Sequence, residues 1–203
     1  MQDLTPSCMQ DLTPSIYERV MGVSYARLAP ALQRFHRLHG RHVLQGEVTT
    51  DAPASPLAGL LARGLGSPRR SANGPIRFEL DVDAGGETWT RHFPGRTMSS
   101  RLREVDGELV ERLGAARLVF TLAVADGRLV MRLRDVRFLG IACPAFLRPR
   151  IVAEETGEQG SGGRERLHFR VEAHVPGVGQ VVGYRGHLDL PAVDASEAAS
   201  TRG

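Results

Sequence analysis

The sequence predicts a mainly β (α+β) fold: a curled antiparallel meander or β-barrel of about nine to ten strands, with short N-terminal helices. Three observations predict it. From Pro75 onward apolar residues recur at every second position, the period of a strand. Gly- and Asp-Gly-containing turns punctuate that region at hairpin spacing, at Gly85-Gly86, Pro94-Gly95, Asp106-Gly107 and Asp126-Gly127. Each strand shows one apolar and one charged face, so one side packs inward and the other meets water. A sheet of that many strands curls, closes or splits in two rather than staying flat.

The elements follow in order. Ser15 with Glu18 three positions on makes a capping box ahead of Ile16, Val20 and Met21, and Gly22 ends that short helix. A second helix is expected from Pro30 to His39, with Leu32, Phe35 and Leu38 apolar and Gly40 as the stop. His42 to Thr50 reads as a first strand. Ser55-Pro56 opens a third helix, a cap residue followed by proline at the first helical position. Its expected buried stripe is Leu57, Leu60, Leu61 and Leu65, and Gly66 and Pro68 close it.

The strand pattern then begins. Ile76, Phe78, Leu80 and Val82 alternate with Arg77, Glu79, Asp81 and Asp83. GETWTRHFPG, Gly86 to Gly95, comes next, followed by strands through Met98–Leu102, Leu109–Leu113, Leu118–Val124 and Leu129–Leu133. Leu167, Phe169, Val171, Ala173 and Val175 alternate without error, and Val181 to Leu190 is the last strand. FLGIACPAFLRP, Phe138 to Pro149, is the most apolar connection, expected to cover one end of the sheet rather than to anchor in a membrane, with a partner-binding patch as the sharper alternative. GEQGSGG, Gly157 to Gly163, reads as an exposed loop.

The domain is expected to span 13–191. MQDLTPS occurs at Met1–Ser7 and again at Met9–Ser15, too short for a structural repeat, so residues 1–12 read as a duplicated and dispensable start. Residues 192–203 read as a disordered tail. The 203 residues suffice for one sizeable core, and hydrophobic (41%) and charged (24%) fractions are those of a globular chain. All 26 basic residues are arginine, interleaved with acids rather than massed in a block, and neither a binding motif nor an aromatic platform accompanies them. No nucleic-acid partner is therefore expected. Neither a membrane-spanning run nor a signal peptide is visible, so no membrane partner is expected either. Two cysteines, Cys8 and Cys143, make no disulfide framework, which points to a reducing, cytoplasmic setting.

The alternation that places apolar residues inside also places polar ones there. Arg91 shares a face with Trp89 and Phe93, Ser100 with Met98 and Leu102, Glu111 with Leu109 and Leu113, and Tyr184 with Val182 and Leu188. A buried charge needs a partner, so Arg91 is expected to pair with Glu111, with Ser100 and Tyr184 completing hydrogen bonds. One reading is an internal ion pair that fixes strand register. The other is a ligand cavity lined by Trp89, Arg91, Phe93, Ser100, Glu111 and Tyr184, apolar walls with a few placed polar groups. His36, His39 and His42 are spaced three apart, but Gly40 breaks the helix and neither cysteine nor acid lies nearby in sequence, so neither a metal nor another cofactor is expected. The glycines of PGVGQVVGYRG lack dinucleotide spacing and sit in a hairpin pattern.

GETWTRHFPGRTMSSRL, LVERLG, GIACPAFLRPRIVAEE and LHFRVEAHVPGVGQVVGYRGHLDL together resemble the bacterial domain-of-unknown-function family 4166, over about Ile16 to Pro191. The positions matching the family pattern are Trp89, Arg91, Phe93, Ser100, Glu111, Gly140, Pro144, Tyr184 and Gly186; Cys143 carries no family role. Members are often joined to a saccharopine-dehydrogenase-like Rossmann domain, and this sequence shows no dinucleotide fingerprint. The resemblance implies an accessory or ligand-presenting domain. Three functions follow as expectations. The first is non-enzymatic binding of a small apolar or amphipathic ligand in a β-cup, with Arg91 orienting its polar end. The second is an interaction module docking through 138–149 on a separate oxidoreductase partner. The third is an enzyme with Glu111 as acid/base and Arg91 as electrostatic stabiliser, which needs a Glu111 carboxylate free of Arg91.

Overall fold

The structure, a computed structural model, describes residues 14–160 and 164–191. The expectations for the duplicated start, Cys8, the far part of the Gly157–Gly163 segment and the C-terminal tail lie outside the described residues.

Helix α1 (Ile16–Met21) begins with the capping box: the Ser15 hydroxyl accepts the Glu18 N–H, and the Glu18 carboxylate accepts the Ser15 N–H at 2.9 Å. The chain continues through a 3₁₀ turn, Gly22–Arg27, which no sequence pattern announced. Helix α2 (Pro30–Phe35) ends four residues before the expected His39. The N–H groups of Arg37 and Leu38 bond back three residues, to Arg34 and Phe35, and this tightening closes the helix ahead of Gly40. Helix α3 (Pro56–Leu65) has the expected Ser55 cap and a left-handed Gly66 at its end. Its buried face is not the expected leucine stripe. Ala58 and Ala62 are fully buried, whereas Leu57 and Leu60 are exposed. The small residues permit close approach, and the leucines point toward an opening described below.

Eleven strands follow the turns: β1 (Gly40–Thr50), β2 (Ala72–Asp83), β3 (Gly86–Phe93), β4 (Arg96–Val105), β5 (Glu108–Leu113) and β6 (Ala116–Ala125). Then come β7 (Arg128–Phe138), β8 (Ile141–Ala142), β9 (Arg150–Gln159), β10 (Glu165–Val175) and β11 (Gly179–Asp189). All pairings are antiparallel. The order runs β6-β5-β4-β3-β2-β1-β11-β10-β9-β7, and β7 also pairs with β6, so ten strands close into a barrel. The short β8 lies outside, on the edge of β7. Closure removes every edge but that one. Strand β9 was absent from the sequence pattern, and it occupies Gly157–Gln159, where a loop was expected. Its inward set is Ile151, Ala153, Glu155 and Gly157: a glutamate and a glycine break the apolar signal.

The two ends of the barrel differ. At one end α1, the 3₁₀ turn and α2 close it. Ala29 N–H bonds to the Gly127 carbonyl, Arg19 meets Glu104 and Arg34 meets Glu165 at 2.7 Å. Gly157 lets α2 sit directly on β9, since a Cβ there would lie 2.9 Å from that of Ala31. At the other end lie α3 and the 139–149 segment, joined through Ala115 N–H to the Gly64 carbonyl and Leu139 N–H to the Ala115 carbonyl. This end stays open.

Candidate functional site

A cavity of about 560 Å³ runs inward from the open end. Its walls are apolar and come from both halves of the barrel, including Ile76, Phe120, Met131, Leu167 and Val171. That explains why Phe169, Val171, Ala173 and Val175 are only partly buried: the inward face of β10 meets cavity rather than packed side chains. The polar residues that line it are few: Arg91, Glu111, Glu155 and Tyr184, with the Cys143 thiol besides.

Arg91 is 7% exposed. Its guanidinium lies 5.0 Å from the Trp89 ring centroid and 5.9 Å from that of Phe78, two cation–π contacts that hold it over the closed end. Its single hydrogen bond among the described residues goes to the Ser100 hydroxyl, at 3.1 Å. The expected pair with Glu111 is present as a long ion pair without a hydrogen bond: the nearest atoms are 3.9 Å apart, because β4 separates β3 from β5 and the two side chains reach toward each other across it. Tyr184 does not complete the bond either; its ring packs on Phe93 at 5.1 Å and Phe169 at 6.0 Å. Burial raises the Tyr184 pKa, with Arg91 opposing.

The six candidate residues thus divide. Trp89, Arg91, Glu111 and Tyr184 line the cavity. Ser100 and Phe93 are buried behind it, one bonded to Arg91 and the other supporting Tyr184. Beyond the Ser100 bond and the long contact with Glu111, Arg91 retains guanidinium donors, and Glu111 accepts no hydrogen bond from a side chain among the described residues.

Sequence reasoning missed the polar layer beneath. His36 Nε2 lies 2.8 Å from Glu155 Oε2, and both side chains are buried. His42 instead contacts the His39 carbonyl, so the three histidines do not converge. Trp89 donates its indole N–H to Glu87 at 2.8 Å. Burial pushes the Glu87 carboxyl up to about 7, opposed by His36 and the Trp89 bond. Tyr17 is fully buried with its ring 3.7 Å from that of His36, and its hydroxyl has no partner among the described residues. Burial first, then the charges of Glu155, Glu87 and Glu111, lift its pKa well above the usual value. Glu87 was within reach of the sequence: it precedes Trp89, Arg91 and Phe93 on the same face. Glu155 was not, because its strand was unrecognised.

A family model described as "Domain of unknown function (DUF4166)" matches residues 28–188, starting after α1 and the 3₁₀ turn. No curated protein matches the chain. A solved structure similar to it is that of Rv2717c from M. tuberculosis, at 14% identity and a TM-score of 0.43, covering 81% of this chain and 99% of that one.

Proposed function

The chain belongs to the DUF4166 family, and we propose that it binds a small amphipathic molecule inside the barrel, apolar body along the walls and polar end against Arg91 and Glu111. The observation that carries this is the cavity itself, about 560 Å³ with apolar walls and three charged groups, Arg91, Glu111 and Glu155, on its lining. That volume falls within the roughly 300–1,000 Å³ of small-molecule pockets, and so does the composition, apolar with a few placed polar groups. A barrel built for stability alone would fill this space with side chains.

The spacing narrows the ligand. Arg91 offers donors and Glu111 offers acceptors, 3.9 Å apart at their nearest. A group that accepts and donates at once fits between them: a hydroxyl, a primary or secondary amide, or a protonated acid. Trp89 and Phe78 beneath the guanidinium hold it against rotation, so little side-chain entropy is lost on binding.

Native mass spectrometry of freshly purified protein, compared with its denatured mass, tests the reading. A released molecule with an apolar body and one hydroxyl, amide or acid end is the expected result. The amphipathic dye 1-anilinonaphthalene-8-sulfonate supplies a second readout. It should bind with about one-to-one stoichiometry and be displaced by a long-chain primary amide or alcohol. A clean apo mass together with no dye fluorescence above that of a surface control would overturn the proposal.

A further inference from the structure

The open end carries two features that the cavity reading does not use. Leu57 and Leu60 on α3, with Leu139, Ile141 and Phe146 on the following connection, are each more than half exposed, Phe146 at 75%. They surround the place where the cavity opens, since their neighbours Leu61, Leu65, Ala142 and Leu147 line it. Other large exposed apolar residues among those described, such as Val23, Val43 and Val105, stand apart from one another. A rim this apolar around an opening is an interaction surface.

The second feature is charge. Arg63, Arg69, Arg70, Arg148 and Arg150 are exposed around the same end and make no ion pair among the described residues. The acids toward that end already have partners: Asp51 with Arg185 at 3.4 Å, Asp135 with Arg137 at 3.9 Å and Glu172 with Arg170 at 2.9 Å. Further carboxylates, Glu18, Glu104, Asp106, Asp126 and Glu158, stand at the opposite end. A row of arginines extends the positive charge down one side. Arg101, Arg112, Arg117 and Arg137 lie directly opposite one another on the outer faces of β4, β5, β6 and β7. Like charges in direct cross-strand register are unfavourable. Arg101 is held by Asp83 and Arg137 lies 3.9 Å from Asp135, while Arg112 and Arg117, next to the turn that touches α3, have no acid partner among the described residues.

We propose that the open end docks on an anionic lipid surface, the apolar rim entering the interface and the arginines meeting headgroup phosphates. Aliphatic and aromatic side chains ringed by cations are the composition of an interfacial anchor. Each arginine near such a surface adds to the attraction, within the reach set by the ionic strength. The seated rim would join the cavity to the bilayer, so that an amphipathic molecule could pass between them without crossing water. That route rests on the cavity reading; the docking does not. It departs from the sequence-based expectation of no membrane partner, because α3 and the connection are separated by more than 70 residues and their shared rim exists only in the folded barrel.

Sedimentation with phosphatidylglycerol vesicles and, separately, phosphatidylcholine vesicles tests it. The full chain should sediment with the first, weakly with the second, and be released by raised salt. The double change Ile141→Asp/Phe146→Asp should weaken phosphatidylglycerol binding by about tenfold or more, with circular dichroism and melting temperature unchanged. Arg148→Glu/Arg150→Glu should do the same by weakening the salt-dependent part. No sedimentation with phosphatidylglycerol overturns the proposal. So does sedimentation that neither double variant reduces, or a solution dimer dissolved by Phe146→Asp without vesicle binding, which would assign the rim to a second copy. Vesicle binding with a clean apo mass and no dye occupancy would retain the docking and defeat the cavity reading; dye occupancy without vesicle binding would do the reverse.

Discussion

Arg91 shows how much a separation of an ångström decides. Removing one member of a tight buried ion pair costs roughly 3–5 kcal/mol, because the other charge is stranded. Here Glu111 is 3.9 Å away and faces a cavity, so it retains access to solvent or ligand. Arg91→Met should therefore cost about 1–3 kcal/mol, the loss of the Ser100 bond and the ring contacts. In a urea-denaturation cycle with Glu111→Leu, the coupling should stay under about 1 kcal/mol; a coupling of twice that would mean the two groups close on each other in solution. Glu87 gives a pH signature. Its carboxyl is raised by burial from 4.5 to about 7 in the folded chain. The folded state therefore holds the proton more tightly than the unfolded one. This contribution is complete below about pH 4.5 and is lost as pH rises through about 7. The change is on the order of 3 kcal/mol at 1.36 kcal/mol per pH unit. Glu87→Gln keeps an acceptor for the Trp89 indole and cannot ionise. Its stability should be flatter across that window and should exceed the native protein's above it. Equal slopes for the two proteins would sink the assignment.

Helix α3 inverts the usual expectation about size. Leu60 faces outward and Ala62 inward with no exposed area. Leu60→Ser should change stability by no more than about 0.5 kcal/mol. Ala62→Leu should cost about 1–3 kcal/mol by forcing the helix off its seat. Thermal denaturation of the two variants reads this directly, and a larger loss at Leu60 would place the leucines in the core after all. The sequence could be read for the helix's limits, because Ser55, Pro56 and Gly66 act through local backbone chemistry. Its buried face could not be read, because periodicity finds the apolar stripe without saying whether core or cavity mouth lies opposite. The same division holds among the strands. β2, β3 and β4 were legible because their inward residues are mostly apolar, with Glu87, Arg91 and Ser100 as the interruptions. Strand β9 was hidden because the site placed Glu155 on its inward face and helix packing placed Gly157 there. The pairing of β7 with both β6 and β9, which closes the barrel, joins segments that no local pattern relates. For the site, alternation on one strand found Arg91 and Trp89. The His36–Glu155 contact spans 119 residues and arises only when α2 sits on β9.

At the scale of the whole molecule, the closed end is packed and the open end is hollow, and this asymmetry separates a scaffold from a binding protein. The inward faces of β9, β10 and β11 carry small or modest residues, Ala153, Ala173 and Val182, where larger ones would reach across the lumen. Ala173 is only partly buried and faces the cavity. Replacing it with phenylalanine adds apolar area that the barrel has room to bury. Filling such space commonly stabilises a protein by about 0.5–2 kcal/mol. Ala173→Phe should raise the melting temperature and, if the lumen is where the ligand lies, reduce dye and ligand occupancy severalfold. Vesicle binding should be unaffected, because the rim and the arginines are untouched. The three readouts move in different directions for a reason. Packing, occupancy and docking belong to different parts of the barrel: its inner face, the Arg91–Glu111 floor, and the outer edge of its mouth. A variant that gained stability while keeping full occupancy would move the ligand elsewhere. One that lost stability would show that the lumen is narrower in solution than 560 Å³ implies.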